Sequence, residues 1–378
     1  MKKEYLFAPG PTPVPSEVLL EMARPIFHHR TGRFMKLLGK VIEDLKRLFL
    51  TRNDVLVITG SGTAAMEAAL VNTVAPGEKA LIVRGGKFGE RWGELAEAFG
   101  VVPVYIDVEW GKAVEPAQIE SALKRDPAIA AVFTTQCETS TAVKTDIRAI
   151  GPIVAKTSAI LVVDGISAVP SMEMRTDEWN VDMLVVGSQK ALMLPPGLAF
   201  LTVSEKAWKK VEKCGRGYYL NLKKYRKAMA QTDTPYTPAI GLVAAMARAA
   251  EMLLEYGLEN LWRETSRMAE ACREAAIAMG LKVYAGSPAD SVTAIELPAG
   301  VDGSKVTKLM QETHGITVAG GQEKLKGRIV RIAHMGYVDK FDMLAALAAL
   351  EAVLVSMGVK LNRGAGIARA WEILSSID

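Results

Sequence analysis

The chain has 378 residues, of which 49% are hydrophobic and 23% are charged, and its formal net charge is only +4. This composition is typical of a globular protein and excludes a disordered, collagenous or coiled-coil chain. With no long basic run, nucleic-acid and membrane partners are disfavoured, and three widely spaced cysteines and four histidines disfavour a disulfide framework or a metal centre. We expect a cytoplasmic protein with no metal, no signal peptide and no transmembrane span.

Residues 1–17 are predicted to form an extended arm. Four prolines lie between Pro9 and Pro15, and proline excludes a regular helix there. Apolar residues at helical spacing then predict two helices, at Glu17–Met22 and Thr31–Phe49.

From residue 54 onwards, short apolar runs alternate with helical patterns. The predicted strands are Asp54–Thr59, Lys79–Val83, Val102–Asp107, Ala130–Thr135, Ala159–Val163, Met183–Gly187 and Leu198–Val203. Near-continuous apolar strands that alternate with helices are typical of a buried, mainly parallel sheet with helices on both faces. The sequence therefore predicts an α/β fold with a mainly parallel seven-stranded sheet.

The composition changes after Tyr236. Two long helices rich in Ala, Met, Leu and Glu are predicted at Ile240–Tyr256 and Leu258–Met279, followed by short strands and a helix that Asp339 can cap. We therefore predict three units along the chain: an N-terminal arm (1–17), a large domain (18–256) and a smaller α+β C-terminal domain (257–378).

Two ionisable residues follow predicted buried strands. Burial of Lys190 would lower the pKa of its amine, and a neutral amine can form a Schiff base with an aldehyde and carry a proton; it could equally extend to solvent. Asp164 could cap the next turn, or it could hold a ring nitrogen in the protonated form that pyridoxal phosphate requires.

The turn Gly60-Ser-Gly-Thr63 joins a predicted strand to a predicted helix. Its glycines allow backbone N–H groups to approach an oxyanion, and the helix N-terminus adds a positive dipole. The turn is neither a P-loop nor a GxGxxG motif, and alone it could be an ordinary capped turn. Because parallel strands end at one edge of a sheet, we expect this turn, Asp164 and Lys190 to lie together.

In combination, these segments resemble the class V, fold-type I pyridoxal-phosphate aminotransferases, and most closely the alanine–glyoxylate, serine–glyoxylate and serine–pyruvate branch. The resemblance covers nearly the whole chain. The matching motifs are Phe7-Ala-Pro-Gly-Pro-Thr-Pro-Val-Pro15, Gly60-Ser-Gly-Thr63, Glu138-Thr-Ser-Thr141, Val163-Asp-Gly-Ile-Ser-Ala168, Gly187-Ser-Gln-Lys-Ala191 with Pro195-Pro-Gly197, Thr234-Pro-Tyr-Thr-Pro238, Gly320-Gly-Gln322 and Arg331-Ile-Ala-His-Met-Gly336.

The resemblance implies a role for each matching residue. Lys190 would be the catalytic residue that binds pyridoxal 5′-phosphate covalently, and Arg331 would bind the substrate α-carboxylate, with Gly10 of the arm beside the substrate. The other implied cofactor ligands are Ser61, Gly62, Thr63 and Gln189 at the phosphate, Asp164 at the ring nitrogen, Thr139 at the ring hydroxyl, Phe88 on the ring face, Ile166 beside it, and Tyr236 and Thr237 at the phosphate of the other subunit of a homodimer.

The activity implied by the resemblance is transfer of an amino group from alanine or serine to glyoxylate or pyruvate. Small substrates are expected because Arg331 is the one carboxylate anchor that can be read from the sequence. A phosphonate- or phosphoserine-type aminotransferase, a cysteine desulfurase and a non-catalytic partner subunit remain alternatives. Desulfurases usually have His where Gln189 stands and need a cysteine on a Gly/Ser-rich loop, which this chain lacks. The basic, aromatic segment 214–229 has no predicted structure.

Overall fold

The protein is described by a computed structural model that covers residues 3–377. Its helices are α1 (Ser16–Met22), α2 (Gly32–Leu48), α3 (Gly62–Thr73), α4 (Lys87–Ala98), α5 (Pro116–Arg125), α6 (Ile147–Ala155), α7 (Glu205–Cys214), α8 (Leu222–Met229), α9 (Ile240–Tyr256), α10 (Leu258–Met279), α11 (Gly303–His314), α12 (Lys340–Ser356) and α13 (Ala365–Leu374). Its strands are β1 (Tyr5–Leu6), β2 (Asp54–Thr59), β3 (Lys79–Arg84), β4 (Val102–Asp107), β5 (Ile129–Thr135), β6 (Cys137–Glu138), β7 (Val143–Lys144), β8 (Ile160–Asp164), β9 (Met183–Gly187), β10 (Leu198–Val203), β11 (Lys282–Val283), β12 (Val292–Glu296), β13 (Ile316–Thr317), β14 (Ala319–Gly320) and β15 (Ile329–Ala333).

The large sheet has seven strands in the order β2-β10-β9-β8-β5-β3-β4. All neighbours are parallel except β10, which runs antiparallel to β2 and β9. Alternate residues of β2 enter different apolar clusters, with Val55 and Val57 on one face and Leu56 and Ile58 on the other. Burial on both faces explains the continuous apolar strand patterns, and the predicted mainly parallel seven-stranded α/β fold is confirmed.

A second sheet, of order β11-β12-β15-β14, is antiparallel and packs with the C-terminal helices. The N-terminal arm attaches to this region. Strand β1 pairs with β13, and Phe7 is buried in the apolar cluster formed by the second sheet and the C-terminal helices. Gly257, with φ of +88°, separates α9 from α10. The domain limits 1–17, 18–256 and 257–378 stay predictions.

Several helices lacked a clear signal in the sequence. The segment without predicted structure contains α8 and the end of α7, which are short and rich in charge; the side chains of Ser204 and Asn221 cap them. Helix α11 is likewise capped by Asp302. Within residues 3–377, none of the helices is both long and apolar enough to cross a membrane.

Candidate active site

The carboxyl edge of the large sheet brings the predicted residues together. Asp164 is the last residue of β8, Lys190 follows β9 by three residues, and the turn 60–63 follows β2. Strands β2, β8 and β9 run in the same direction, because β10 is antiparallel to both of its neighbours. Polar groups from distant parts of the sequence therefore meet at one edge.

Lys190 and Asp164 are both perturbed by burial. Burial lowers the pKa of the Lys190 amine to about 8, against the opposing charge of Asp164. Burial raises the pKa of the Asp164 carboxyl to about 7, although the Ile166 N–H donates to it at 2.8 Å. In residues 3–377, Asp164 makes no salt bridge, although the charges of Arg91 and Lys190 oppose the rise in its pKa. The site thus holds a partly neutral amine near a buried carboxyl group that has no cation in direct contact.

The N-terminal arm lies directly on the Lys190 segment. The Lys190 amine donates to the carbonyl of Pro9, and the Thr12 hydroxyl donates to the backbone carbonyl of Lys190 at 2.8 Å. Gly10 has φ of +125°, and a Cβ atom there would collide with the Lys190 side chain. The backbone conformation favours glycine at this position, and the absence of a side chain leaves room for the end of Lys190.

The N-terminus of α3 forms a cradle suited to an anion. Its N-cap residue, Ser61, makes no side-chain capping bond. The Ala64 N–H donates to the Ser61 carbonyl at 2.8 Å, but the N–H groups of Gly62 and Thr63 before it lie at the start of the helix, where no intrahelical partner is available. Gly62 packs so closely on Ile166 that any side chain at position 62 would clash. Gln189 lies beside this cradle, with a buried Oε1 atom that lacks a hydrogen-bond partner in the described chain.

The buried carboxylate of Glu138 fixes the start of α4, which carries Phe88. It accepts hydrogen bonds from the N–H groups of Phe88 and Gly89, at 3.2 and 2.9 Å, and from the Ser140 hydroxyl at 2.5 Å. Burial raises the pKa of Glu138, and these hydrogen bonds oppose the shift. Sequence reasoning placed Glu138 within a motif but missed this structural role.

Arg331 reaches the site from β15 of the second sheet. Its Nε and Nη2 atoms donate to the carbonyl of Gly320 at 3.0 and 2.8 Å, and Nη1 donates to the carbonyl of Thr139 at 2.7 Å. The Thr139 hydroxyl in turn donates to Ser167 at 2.7 Å. Burial lowers the pKa of Arg331 to about 10, against the charge of Glu138. A guanidinium group has five N–H donors, so two remain for a carboxylate.

Tyr236 makes its contacts within one chain, near the end of β2, because Tyr219 and Ala239 both donate to Thr59. The Tyr236 hydroxyl donates to the backbone carbonyl of Tyr218 at 2.6 Å, and its ring stacks on Tyr219. Thr237 is exposed. Their implied role at the phosphate of another subunit stays a prediction.

Arg91 is a further residue that sequence reasoning missed. It lies on α4, one helical turn after Phe88, and its Nη1 atom donates to the Thr63 hydroxyl at 3.2 Å. The i, i+3 spacing from Phe88 was visible in the sequence, but the contact with α3 depends on the tertiary fold.

Comparison with known proteins agrees with this arrangement. The family model "Aminotransferase class-V" matches residues 4–338. The chain is 40% identical to the small subunit of a soluble hydrogenase from Synechococcus sp. strain PCC 6716, with 99% of each chain covered. It is 37% identical to a serine–glyoxylate aminotransferase of Methylorubrum extorquens, with 98% of this chain and 96% of the relative covered.

Among solved structures, pyridoxamine–pyruvate aminotransferase from Mesorhizobium loti superposes with a TM-score of 0.95 at 26% identity. The alignment covers 100% of this chain and 98% of that protein. The family match spans the site residues from Gly10 to Arg331, so the resemblance identified in the sequence is confirmed. The chain belongs to the class-V aminotransferase family of pyridoxal-phosphate enzymes.

Proposed function

We propose that this aminotransferase passes the amino group of alanine or serine to glyoxylate or pyruvate, with Lys190 as the catalytic residue. One observation carries the proposal: a buried Lys190 amine lies at the same sheet edge as a buried carboxyl group, near an arginine with unused N–H donors. This set suits a small substrate that has one carboxylate.

The residues present fit pyridoxal 5′-phosphate. Asp164 makes no salt bridge in the described chain, and a protonated ring nitrogen would supply a cation in direct contact with it. The uncapped first turn of α3 suits the phosphate, because helix N-termini favour anions. When bound, the cofactor supplies an electron sink for the carbanion that forms at the substrate Cα. Ser61, Gly62, Thr63 and Gln189 would hold the phosphate, and Thr139 and Phe88 would flank the ring.

Lys190 is suited to move the proton at the substrate Cα. A group acts best as both base and acid when its pKa lies near the working pH, and burial brings the pKa of Lys190 to about 8. The arm restrains the lysine segment through the bond from Thr12.

Arg331 would orient every substrate in the same way. Its bonds to the carbonyls of Gly320 and Thr139 fix the guanidinium plane before substrate arrives, and the two remaining N–H groups can grip a carboxylate. Donor and acceptor occupy one pocket in turn, so a pocket suited to alanine and serine also suits pyruvate and glyoxylate.

The range of amino donors must be tested, because one relative is named for a dicarboxylic donor. An L-aspartate–glyoxylate aminotransferase of Paracoccus denitrificans is 35% identical to this chain. A second carboxylate without a cationic partner is costly to desolvate. We therefore expect kcat/KM for alanine and serine to exceed that for aspartate and glutamate, in a matrix of amino donors against oxo acids. A preference of about tenfold or more for the dicarboxylates would refute the proposed substrates.

We also propose a homodimer with shared active sites. Large apolar side chains are exposed on and near α1, including Leu20 at 64% and Ile26 at 77%, and such patches mark interfaces. Tyr236 and Thr237 lie at the surface of one chain, where they could reach a neighbouring subunit. Sedimentation at working concentration tests this, and a fully active monomer would exclude shared sites.

A cytoplasmic location is the compartment we propose. All three cysteines are free thiols, as expected in a reducing environment. Cell fractionation of the source organism tests the location, and recovery in an oxidising extracellular fraction would contradict it.

The thiol environments disfavour the desulfurase alternative. Burial raises the pKa of the Cys137 and Cys272 thiols to about 12, and burial is also the largest cause of the raised pKa of Cys214. A nucleophilic cysteine needs a lowered pKa. Release of sulfide from cysteine at a rate above alanine turnover would reverse this conclusion. A protein that stays colourless with added pyridoxal phosphate would favour a non-catalytic partner subunit instead.

A further inference from the structure

Arg91 contacts two separate parts of the site. Its Nη1 atom donates to the Thr63 hydroxyl at 3.2 Å, and its guanidinium lies over the Phe88 ring, 4.9 Å from the centroid. Arg91 is only partly exposed. In residues 3–377 it makes no salt bridge, and its charge acts from a distance on the buried carboxyl group of Asp164, where it opposes the rise in pKa that burial causes.

Neighbouring cations differ from Arg91 in this respect. Lys87, on the same helix, pairs with Glu94 at 3.1 Å, and Arg84, at the end of β3, pairs with Asp107 at 2.7 Å. Their charges are neutralised within the protein. Arg91 has no carboxylate in direct contact, so its guanidinium can pair with an anion that binds beside Thr63.

Thr63 connects the unpaired charge to the α3 cradle. Because the Thr63 oxygen accepts a hydrogen bond from Arg91, its own hydroxyl hydrogen points away from Arg91 and towards another acceptor. Thr63 also lies in the first turn of α3, whose N-cap makes no side-chain bond. Hydroxyl, backbone N–H groups and guanidinium charge therefore favour the same ligand, a compact anion with several acceptor oxygens.

We propose that Arg91 is a positioning residue for the cofactor phosphate: it fixes the Thr63 hydroxyl as a donor and supplies positive charge to balance the phosphate. This inference rests on the proposed function, since it takes pyridoxal 5′-phosphate as the ligand. Near neutral pH a phosphate monoester carries close to two negative charges, which the neutral donors of α3 alone do not balance.

The alternative is that Arg91 only supports the Phe88 ring. The two roles predict different losses of affinity for ligands with and without a phosphate group. Loss of support for the ring would weaken binding of any pyridoxal, whereas loss of a phosphate partner would weaken only ligands that carry the phosphate.

The test compares pyridoxal 5′-phosphate with pyridoxal, which lacks the phosphate, by absorbance titration of the cofactor-free protein. Arg91→Met should raise the Kd for pyridoxal 5′-phosphate by roughly tenfold or more. The Kd for pyridoxal should stay within about twofold of its value for the unsubstituted protein. Arg91→Lys, which keeps the charge, should lie between Arg91→Met and the parent. Arg84→Met, the matched control, should bind both ligands as the parent does.

Thermal unfolding with inorganic phosphate provides a readout that is independent of the ring. Phosphate should raise the melting temperature of the cofactor-free parent more than that of Arg91→Met. Equal weakening of both pyridoxals, or no weakening of either, would overturn the inference. If Arg91→Met does not fold, the same comparison is made with Arg91→Lys and Arg91→Gln. A parent protein that binds neither pyridoxal would instead refute the proposed function.

Discussion

The Nη1 atom of Arg331 donates a hydrogen bond to the backbone carbonyl of Thr139 at 2.7 Å. This bond joins the second sheet, which carries Arg331, to the carboxyl edge of the large sheet. The Thr139 hydroxyl extends the connection to Ser167, three residues after Asp164. The carboxylate anchor and the residues around the cofactor ring are therefore held in one chain of contacts, and their relative orientation does not depend on the substrate.

Arg331→Lys tests this anchor. A lysine amine cannot bond the carbonyls of Gly320 and Thr139 and also present a planar pair of N–H groups to a carboxylate. We expect kcat/KM to fall by about a hundredfold for alanine and serine alike. Arg328→Lys is the matched control, since Arg328 is largely exposed. Its ion pair, from Nη2 to the Glu296 Oε1 atom, is long at 3.9 Å. A loss confined to one donor would show that Arg331 does not bind the shared carboxylate.

Lys190→Ala should remove transamination while the protein remains folded. The variant lacks the amine that moves the proton at the substrate Cα, and we expect turnover to fall by at least about a thousandfold. Steady-state assays with alanine and glyoxylate measure the change. Lys206→Ala is the control, because Lys206 also has a pKa lowered by burial but contacts Ala159 and Asp182 away from the site. Near-normal turnover of Lys190→Ala would contradict the assignment of Lys190 as the catalytic residue.

Asp164→Asn should make the stability of the cofactor-free protein less sensitive to pH. Burial raises the pKa of Asp164 from 3.8 to about 7, so the folded chain holds this proton more tightly than the unfolded chain. Its contribution to stability is present below about pH 4 and is lost as the pH rises through about 7. Asparagine keeps an acceptor for the Ile166 N–H and carries no charge. The variant should therefore gain stability over the parent as the pH rises from about 5 to about 8.

Urea unfolding of both cofactor-free proteins at each pH measures this difference. A constant difference would mean that Asp164 does not titrate in that range. With cofactor bound, the same variant should lose more than tenfold in rate, because a neutral amide cannot stabilise a protonated ring nitrogen by charge. A smaller loss would indicate that Asp164 does not bind that nitrogen.

Glu138→Gln should destabilise the protein and disturb Phe88. An amide oxygen cannot replace both carboxylate oxygens that accept from Phe88, Gly89 and Ser140. We expect the free energy of unfolding to fall by about 1–3 kcal/mol, together with weaker cofactor binding. Glu173→Gln, at an exposed carboxylate, provides the control. Unchanged stability would mean that the hydrogen bonds to Glu138 contribute little.

Much of the fold could be predicted because its signals are local. Strands such as Val102–Asp107 and helices such as Leu258–Met279 have the bounds that their apolar patterns predict. Short helices such as α8 are charged and depend on capping, so no apolar period marks them. The family, the enzyme class and the cofactor were identified from ordered motifs and are confirmed by the family match.

The contacts within the site were harder to predict, because they join elements that are distant in sequence. Glu138 reaches α4, Arg91 reaches α3, and neither pairing has a sequence pattern of its own. The resemblance placed Gly10 of the arm beside the substrate, and the structure adds its contact with Lys190 and a positive φ that favours glycine.

The most direct measurement follows one half of the reaction. Protein loaded with pyridoxal 5′-phosphate is mixed with alanine in the absence of any oxo acid, and pyruvate is quantified. We predict an amount of pyruvate stoichiometric with the subunits, after which the reaction stops until glyoxylate is added and glycine forms. If fully loaded protein released no oxo acid from either alanine or serine, transfer of amino groups from small amino acids would be contradicted.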